Sequence, residues 1–104
     1  MGENLPFSIA RAEAVLGQVA GGLQRRVGEY FREHFYLTTS GYFTIPPILC
    51  AREVLGNDRI MISIDYPYSG LENGRLMLDE LSDGFTDAEI EGFAWRNVSK
   101  LLRL

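Results

Sequence analysis

The chain has 104 residues, a net charge of −4, and 46% hydrophobic against 23% charged residues, a balance that predicts one folded domain and argues against disorder. The basic residues are scattered along an acidic chain, which argues against nucleic acid as a partner. Neither a basic and apolar leader nor eighteen consecutive apolar residues occur, so we expect neither export nor membrane spanning.

The first forty residues predict two helices followed by a strand. Pro6 suits a first helical turn, and we expect a helix over residues 6–16. Glycines then weaken the pattern, so an irregular stretch and a short helix over residues 27–33 should follow. Residues 35–41 are aromatic and β-branched and end in glycine, which is typical of a strand. The apolar positions with helical spacing in the first segment are Ile9, Ala12, Leu16, Val19 and Leu23.

A helix and a second strand come next. Thr44 is the expected N-cap of this helix, and Gly56 is expected to end it. Residues 59–65 form a strand whose centre is continuously apolar, as in parallel sheets that are covered on both faces. Strand, helix and strand at this spacing indicate a βαβ unit with two parallel strands.

Two more helices complete the pattern. The first is expected over Leu71–Leu81. The second begins at Thr86, where Glu89 three residues later completes a capping box. Its expected apolar stripe consists of Ile90, Phe93, Ala94, Val98, Leu101 and Leu102.

Asp65 is the strongest single candidate for a functional residue. It closes an apolar strand, and carboxylates at the carboxyl ends of parallel strands face the crevice where such folds place their sites. A second interpretation fits the composition equally well: Asp65 caps the following turn by accepting backbone N–H bonds.

The other polar candidates have structural interpretations that the residues alone favour. Glu3 precedes a helix, whose dipole attracts an acid, and Arg11 suits a solvated helix face. His34, the only histidine, suits the cationic end of a helix, and Ser40 either borders a site or forms a turn. Cys50 has no partner for an internal disulfide, which fits a reducing cytoplasm. The usual three or four ligands of a metal site are not found.

Four stretches occur in a distinctive order. They are Gly2-Glu3 with Leu5-Pro6-Phe7, then Glu29-Tyr30-Phe31-Arg32 leading into residues 35–41, then Asp58-Arg59-Ile60 leading to Ser63-Ile64-Asp65-Tyr66-Pro67-Tyr68, and finally Asn97 with Leu101-Leu102. Together they resemble the C-terminal part of the amidohydrolase-related, metal-dependent decarboxylases, a group that includes γ-resorcylate decarboxylase and aminocarboxymuconate-semialdehyde decarboxylase. The resemblance covers nearly the whole chain.

This resemblance implies a fold and a set of site residues. The fold class is α/β, a partial TIM (β/α)₈ barrel, in which residues 1–104 supply the seventh and eighth strand-helix units and the preceding helix. Asp65 then matches a ligand of the divalent metal, and Glu3 matches the catalytic glutamate of a His-x-Gly-Glu motif. Arg11 matches a substrate-binding arginine, and Ser40 lies where a strand borders the substrate pocket.

The resemblance also implies an activity. The parent enzymes use a divalent metal, with zinc, manganese and magnesium left open, and act on small carboxylate substrates. The expected reaction is non-oxidative decarboxylation of an aromatic or related carboxylic acid, or hydrolysis. Two site carboxylates cannot hold a metal tightly, so the 104 residues alone are expected to be inactive.

Three hypotheses follow for the chain itself. It is a segment of such an enzyme, since a complete barrel takes about 250 residues; open strand edges and apolar surface would then favour self-association or binding to the remainder of the barrel. Alternatively, it is a non-catalytic α/β remnant that acts as an interaction domain. In the third hypothesis the start codon is misassigned, and the DNA upstream of Met1 encodes the missing histidines.

Overall fold

The computed structural model describes residues 2–19, 21–41 and 43–104. Helices surround a short pair of strands in these ranges. A 3₁₀ turn over Asn57–Arg59 precedes the second strand, and a π-helical segment, Gly92–Arg96, joins the last two helices. The elements are α1 (Asn4–Val19), α2 (Val27–His34), β1 (Leu37–Thr38), α3 (Ile45–Leu55), β2 (Ile60–Met61), α4 (Leu71–Leu81), α5 (Asp87–Glu91) and α6 (Asn97–Leu102).

The two strands are parallel, as the βαβ pattern predicts. Leu37 pairs with Ile60 and Thr38 with Met61. Both strands are much shorter than the predicted ranges 35–41 and 59–65. At the carboxyl ends the last main-chain hydrogen bond, from Thr39 N to Met61 O at 3.3 Å, is followed by contacts that the Thr39 side chain makes instead of the backbone.

The edge of β2 that faces away from β1 is bonded to the C-terminal helices. Successive backbone groups of a strand point to opposite edges, and Met61 O faces β1, so Ile60 and Ile62 face the other edge. There Ile62 N donates to Phe93 O at 2.9 Å, and Asn97 Nδ2 donates to Ile60 O at 2.7 Å. The expectation that both strand edges are open is therefore wrong for this part of β2.

The core contains residues of both strands, of helices α1, α3 and α4 and of the π-helical segment. Met77, Leu81 and Phe93 are almost completely buried there. The remaining members of the cluster are Ile9, Leu37, Ile48, Ala51, Leu55, Ile60 and Phe85.

Helix α1 is longer than predicted, but a smaller part of its apolar face is buried. Pro6 and Ile9 are buried, whereas Leu16, Val19 and Leu23 are exposed. The predicted apolar face is therefore wrong beyond the first half of α1, because little of the described chain covers the C-terminal half of this helix. Salt bridging between Glu13 and Arg26 connects that half to the segment before α2.

The helix starts and ends are partly as predicted. Gly56 ends α3 with φ 89°, and its N–H donates to Arg52 O at 3.0 Å. Thr44 occupies the N-cap position, but its side chain makes no capping hydrogen bond. The capping box at α5 is confirmed, with Glu89 N donating to Thr86 Oγ1 at 3.3 Å and Thr86 N donating to Glu89 Oε2 at 2.8 Å.

The π-helical segment changes the buried face of the last helical stretch. Phe93 and Asn97 are buried, but Ala94, Leu101 and Leu102 are exposed, contrary to the predicted stripe. A π turn contains an additional residue, so it rotates all following positions about the helix axis. Within the described ranges, none of the helices combines the length and apolar character needed to cross a membrane.

Candidate functional site

The carboxyl ends of β1 and β2 bring together polar side chains on the face that is opposite the core. Ile60 is buried, and Ile64 reaches α4, where its Cδ1 lies 2.5 Å from the position that a Cβ on Gly74 would take. Strand side chains alternate between faces, so Met61 and Ser63 face the other side. Ser40 lies on that side too, because its Oγ donates to Ser63 Oγ at 2.7 Å.

Asp65 follows this strand end with an exposed side chain. Its Oδ2 lies 3.8 Å from the position that a Cβ on Gly41 would take, so the carboxylate stands beside the end of β1. Its backbone is left-handed, with φ 65°, a conformation that costs about 1–2 kcal/mol for a residue with a side chain. Gly41 has φ 83°, a conformation that glycine adopts readily, and its lack of a side chain leaves room for the Asp65 carboxylate.

The described chain gives the Asp65 carboxylate no hydrogen bond and no ion pair. The turn after it is instead closed by the backbone, since Ser69 N donates to Asp65 O at 3.1 Å. The second interpretation of Asp65, a side-chain cap for this turn, therefore has no contact that supports it. A carboxylate held at a strand end without partners retains all its oxygen lone pairs for a ligand.

Four hydroxyl groups surround the strand ends. Thr39 Oγ1 accepts from Ser63 N and donates to Ser63 O, both at 3.1 Å. The Ser40 hydroxyl also lies 3.3 Å from Thr38 Oγ1. Sequence reasoning singled out Ser40 but missed Thr39 and Ser63 as site residues, although both lie within two residues of glycine or aspartate at predicted strand ends.

Glu3 lies beside β1 and directly before α1. The backbone at Gly2 passes close to β1, since a Cβ on Gly2 would lie 2.9 Å from Leu37 Cβ. Glu3 is half-buried and lines a cavity of about 30 Å³ that it shares with Thr38 and Thr39 among others. Its carboxylate makes no hydrogen bond or ion pair with the described residues.

Arg11 is exposed on α1, and its side chain makes no hydrogen bond or ion pair with the described residues. His34 is the last residue of α2 and is exposed, with its Nε2 3.8 Å from Glu33 Oε2. Cys50 is a free, half-buried thiol. The structure therefore links Ser40 to the segment that ends at Asp65, whereas no hydrogen bond or ion pair among the described residues links Glu3 or Arg11 to that segment.

The donor set fits part of a metal site. An aspartate oxygen is a suitable ligand for Mn²⁺, Mg²⁺ or Zn²⁺. Among the described residues, however, no three histidine, cysteine, aspartate or glutamate side chains are grouped so that they could hold a metal ion. Asp65 can contribute one ligand, and further ligands would have to come from other residues.

Known proteins match this chain over its whole length. The γ-resorcylate decarboxylase of Polaromonas sp. (strain JS666) is 31% identical over 108 residues, which include 100% of this chain and 32% of that enzyme. This chain is homologous to the amidohydrolase-related decarboxylases. The resemblance predicted from the sequence is thereby confirmed, although no family model matches the chain.

Solved structures of these decarboxylases agree with the fold. The 5-carboxyvanillate decarboxylase LigW of Sphingomonas paucimobilis superposes with a TM-score of 0.89 at 27% identity, over 99% of this chain and 32% of that enzyme. A dihydroxybenzoic acid decarboxylase of Polaromonas sp. JS666, solved with manganese and the inhibitor 2-nitroresorcinol, gives 0.84 at 29% identity, with 99% and 32% covered. The chain thus spans about a third of the length of the decarboxylases that it matches.

The parent fold of this decarboxylase family is a TIM barrel, and its members are metal-dependent. The described part of this chain contributes an α/β piece with two parallel strands. The hydroxyl and carboxylate groups occur at the carboxyl ends of these strands, which is the end where TIM barrels carry their active sites.

Proposed function

We propose that this chain forms the seventh and eighth strand-helix units of a metal-dependent decarboxylase barrel and supplies one metal ligand, Asp65. The observation that carries the proposal is that the Asp65 carboxylate lies at the carboxyl end of a parallel strand pair and has no hydrogen bond or ion pair with the described residues. In the complete enzyme the substrate would be a small aromatic carboxylic acid, as the names of the relatives suggest. The remaining metal ligands would lie on residues outside this chain.

A bound divalent ion would stabilise negative charge on substrate oxygens. The Asp65 carboxylate would hold that ion at the mouth of the barrel. Glu3, half-buried beside β1, would hold or transfer a proton. Arg11 would bind the substrate carboxylate, and Ser40 would border the substrate.

The substrate-binding role proposed for Arg11 depends on residues outside this chain more than the other proposed roles do. Its side chain is exposed on α1 and has no partner among the described residues. A guanidinium binds a carboxylate strongly only when both are held in a fixed geometry away from bulk water. Residues outside this chain would have to supply those walls.

A chimera tests this function directly. The 108-residue matching segment of the Polaromonas γ-resorcylate decarboxylase is replaced by this chain, and release of CO₂ is measured with and without Mn²⁺. We expect Mn²⁺-dependent decarboxylation, which Asp65→Asn lowers by about a hundredfold or more because a charged ligand is lost.

Asp83→Asn is the matched control for this experiment. Asp83 is exposed in the turn after α4, and its side chain makes no hydrogen bond or ion pair with the described residues. It should leave the activity of the chimera unchanged. A folded, manganese-loaded chimera that remains equally active with Asp65→Asn would contradict the proposal.

A second candidate function is that of a self-associating or partner-binding domain without catalysis. Exposed apolar side chains favour it, including Phe7 (85% exposed) on α1 and Tyr68 (88% exposed) after β2. In this case Asp65→Asn should leave every measurable property unchanged, whereas the first function requires an effect on Mn²⁺ binding.

A further inference from the structure

The Thr39 side chain replaces the backbone at the point where β1 and β2 stop pairing. Its hydroxyl accepts from Ser63 N at 3.1 Å and donates to Ser63 O, also at 3.1 Å. A hydroxyl has one hydrogen and two lone pairs, so one side chain satisfies both backbone groups of a residue on the other strand. Ser63 is thereby held at its peptide groups by Thr39 and at its side chain by Ser40.

The segment from Ser63 to Asp65 is also held from the opposite face. Ile64 packs closely against α4, where Gly74 leaves space for its side chain. Asp65 then adopts its left-handed backbone. A left-handed backbone is uncommon in residues with a side chain, although aspartate adopts it more often than most, and such residues cluster at functional sites.

We propose that Thr39 is a positioning residue for Asp65: by binding both peptide groups of Ser63, it fixes the backbone that presents the Asp65 carboxylate to a divalent cation. The cation-binding part rests on the proposed function, whereas the control of the Asp65 backbone does not. Thr39 would not be a ligand of the cation and would act through Ser63.

Nuclear magnetic resonance on this chain tests the proposal with two matched substitutions. Thr39→Val keeps the branched shape but removes the hydroxyl, and Thr39→Ser keeps the hydroxyl. With Thr39→Val, exchange of the Ser63 amide hydrogen should become about tenfold faster, because its partially buried N–H loses its acceptor. The amide–Hα coupling and the Cα shift of Asp65 should then leave their left-handed values, and Thr39→Ser should restore both.

The control is Thr44→Val, which removes a threonine hydroxyl that makes no capping bond before α3. It should leave the Ser63 exchange rate and the Asp65 coupling at their wild-type values. Amides of α4 should exchange at unchanged rates in all variants, which separates a local effect from general destabilisation. A left-handed Asp65 that is unchanged by Thr39→Val would overturn the proposal.

Titration with Mn²⁺ separates this inference from the proposed function. The ion should broaden the resonances of Asp65 and Gly41, and Thr39→Val should raise the required Mn²⁺ concentration about threefold, since less of the chain holds the competent conformer. If the wild type shows no broadening that Asp65→Asn removes, the metal-ligand function fails, while the coupling data still decide the role of Thr39.

Ser40→Ala provides a second variant should Thr39→Val fail to fold. It removes the 2.7 Å contact to the Ser63 hydroxyl and the 3.3 Å contact to the Thr38 hydroxyl, and it leaves both Thr39 bonds in place. The proposal requires that the Asp65 coupling stays at its wild-type value in this variant. Loss of the left-handed conformation would assign the positioning role to Ser40 and overturn the assignment to Thr39.

Discussion

Asn97 is a buried polar residue that joins the last helix to β2. Its Nδ2 donates to Asn57 O and to Ile60 O, both at 2.7 Å. Both acceptors are main-chain carbonyls that have to find a donor away from water. The side chain therefore holds the 3₁₀ turn and the strand to the helix that follows them by about forty residues.

Replacement of Asn97 by alanine should destabilise the chain by about 2–3 kcal/mol, because two carbonyl groups lose their donor in a buried environment. The measurement is urea unfolding followed by circular dichroism. Asn73→Ala is the control, since the Asn73 side chain on α4 makes no hydrogen bond in the described chain. This substitution should lower the free energy of unfolding much less. Equal losses for the two variants would contradict this account of Asn97.

Glu89 should make stability depend on pH. Hydrogen bonds from the Thr86 backbone, from the Asn57 amide and from the Thr86 hydroxyl lower the pKa of Glu89 below its ordinary value of 4.5. A carboxyl group with a lower pKa in the folded state stabilises the fold above its unfolded pKa. This stabilisation is lost as the pH falls through the folded value.

The expected result is that Glu89→Gln is less stable than the wild type at pH 7 and that the difference shrinks as the pH falls below about 4.5. Urea midpoints at several pH values measure this difference. Glu80→Gln on α4 is the control, since the Glu80 side chain makes no hydrogen bond or ion pair in the described chain. A difference that persists unchanged in acid would show that the charge of Glu89 is not responsible.

The position of Asp65 could be predicted from its own neighbourhood, but its conformation could not. An apolar run that ends in aspartate is a local pattern, and it places the residue at a strand end. The contacts that hold the strand end come from Thr39, twenty-four residues earlier in the chain. No periodicity links two residues at that separation, so the hydrogen bonds between Thr39 and Ser63 could not be predicted from the sequence.

At the scale of elements, helices with strong local signals were predicted well. The capping box at Thr86 and the glycine at position 56 each act within one helical turn, and the structure confirms both. The face of the last helix was predicted wrongly because a regular period of 3.6 residues was assumed across Gly92–Arg96. There the Phe93 carbonyl accepts a hydrogen bond from Ile62 N, which follows β2. Helical periodicity cannot predict such a contact with another part of the chain.

Two glycines on different helices should respond oppositely to alanine. A methyl group on Gly74 would lie 2.5 Å from Ile64 Cδ1 and 2.8 Å from its Cγ1, so Ile64 must move. We expect Gly74→Ala to lower the free energy of unfolding by about 1–3 kcal/mol through this overpacking. Gly17 has nothing within 4 Å of that position, and alanine there should add up to about 1 kcal/mol through its helix propensity.

Thermal denaturation of the two variants measures the effect on α4 and α1 separately. The pair controls for the general preference of helices for alanine, because both glycines are helical. Stabilisation by Gly74→Ala would mean that Ile64 repacks at no cost and that the close approach of α4 to the strand end is not required.

At the scale of the whole molecule, the chain is more extended than a compact domain of its length. Its radius of gyration is 14.9 Å, against about 13 Å for a globular domain of this size. Large apolar side chains remain exposed on α1, on the loop after β2 and on α6. In a complete barrel, neighbouring units would cover part of this surface.

We therefore expect self-association or binding of apolar dyes by the isolated chain. Sedimentation velocity should show a mass that rises with concentration, since exposed apolar surface favours contacts between copies. Edge-to-edge pairing through Ile60 and Ile62 should not contribute, because their outward-facing groups are already bonded. A monomer at all concentrations with a cooperative thermal transition would contradict the expectation.

The bonds on the outer edge of β2 also change what amide exchange reports in this molecule. The Ile62 N–H donates to Phe93 O, so its protection depends on whether the C-terminal helical stretch is docked. The outer edge of β2 will then be protected from amide exchange like a central strand, although the sheet has two strands. Slow exchange at Ile62 would reveal attachment of the last helices, whereas Thr39 N, which donates to Met61 O, would report whether the strands themselves are paired.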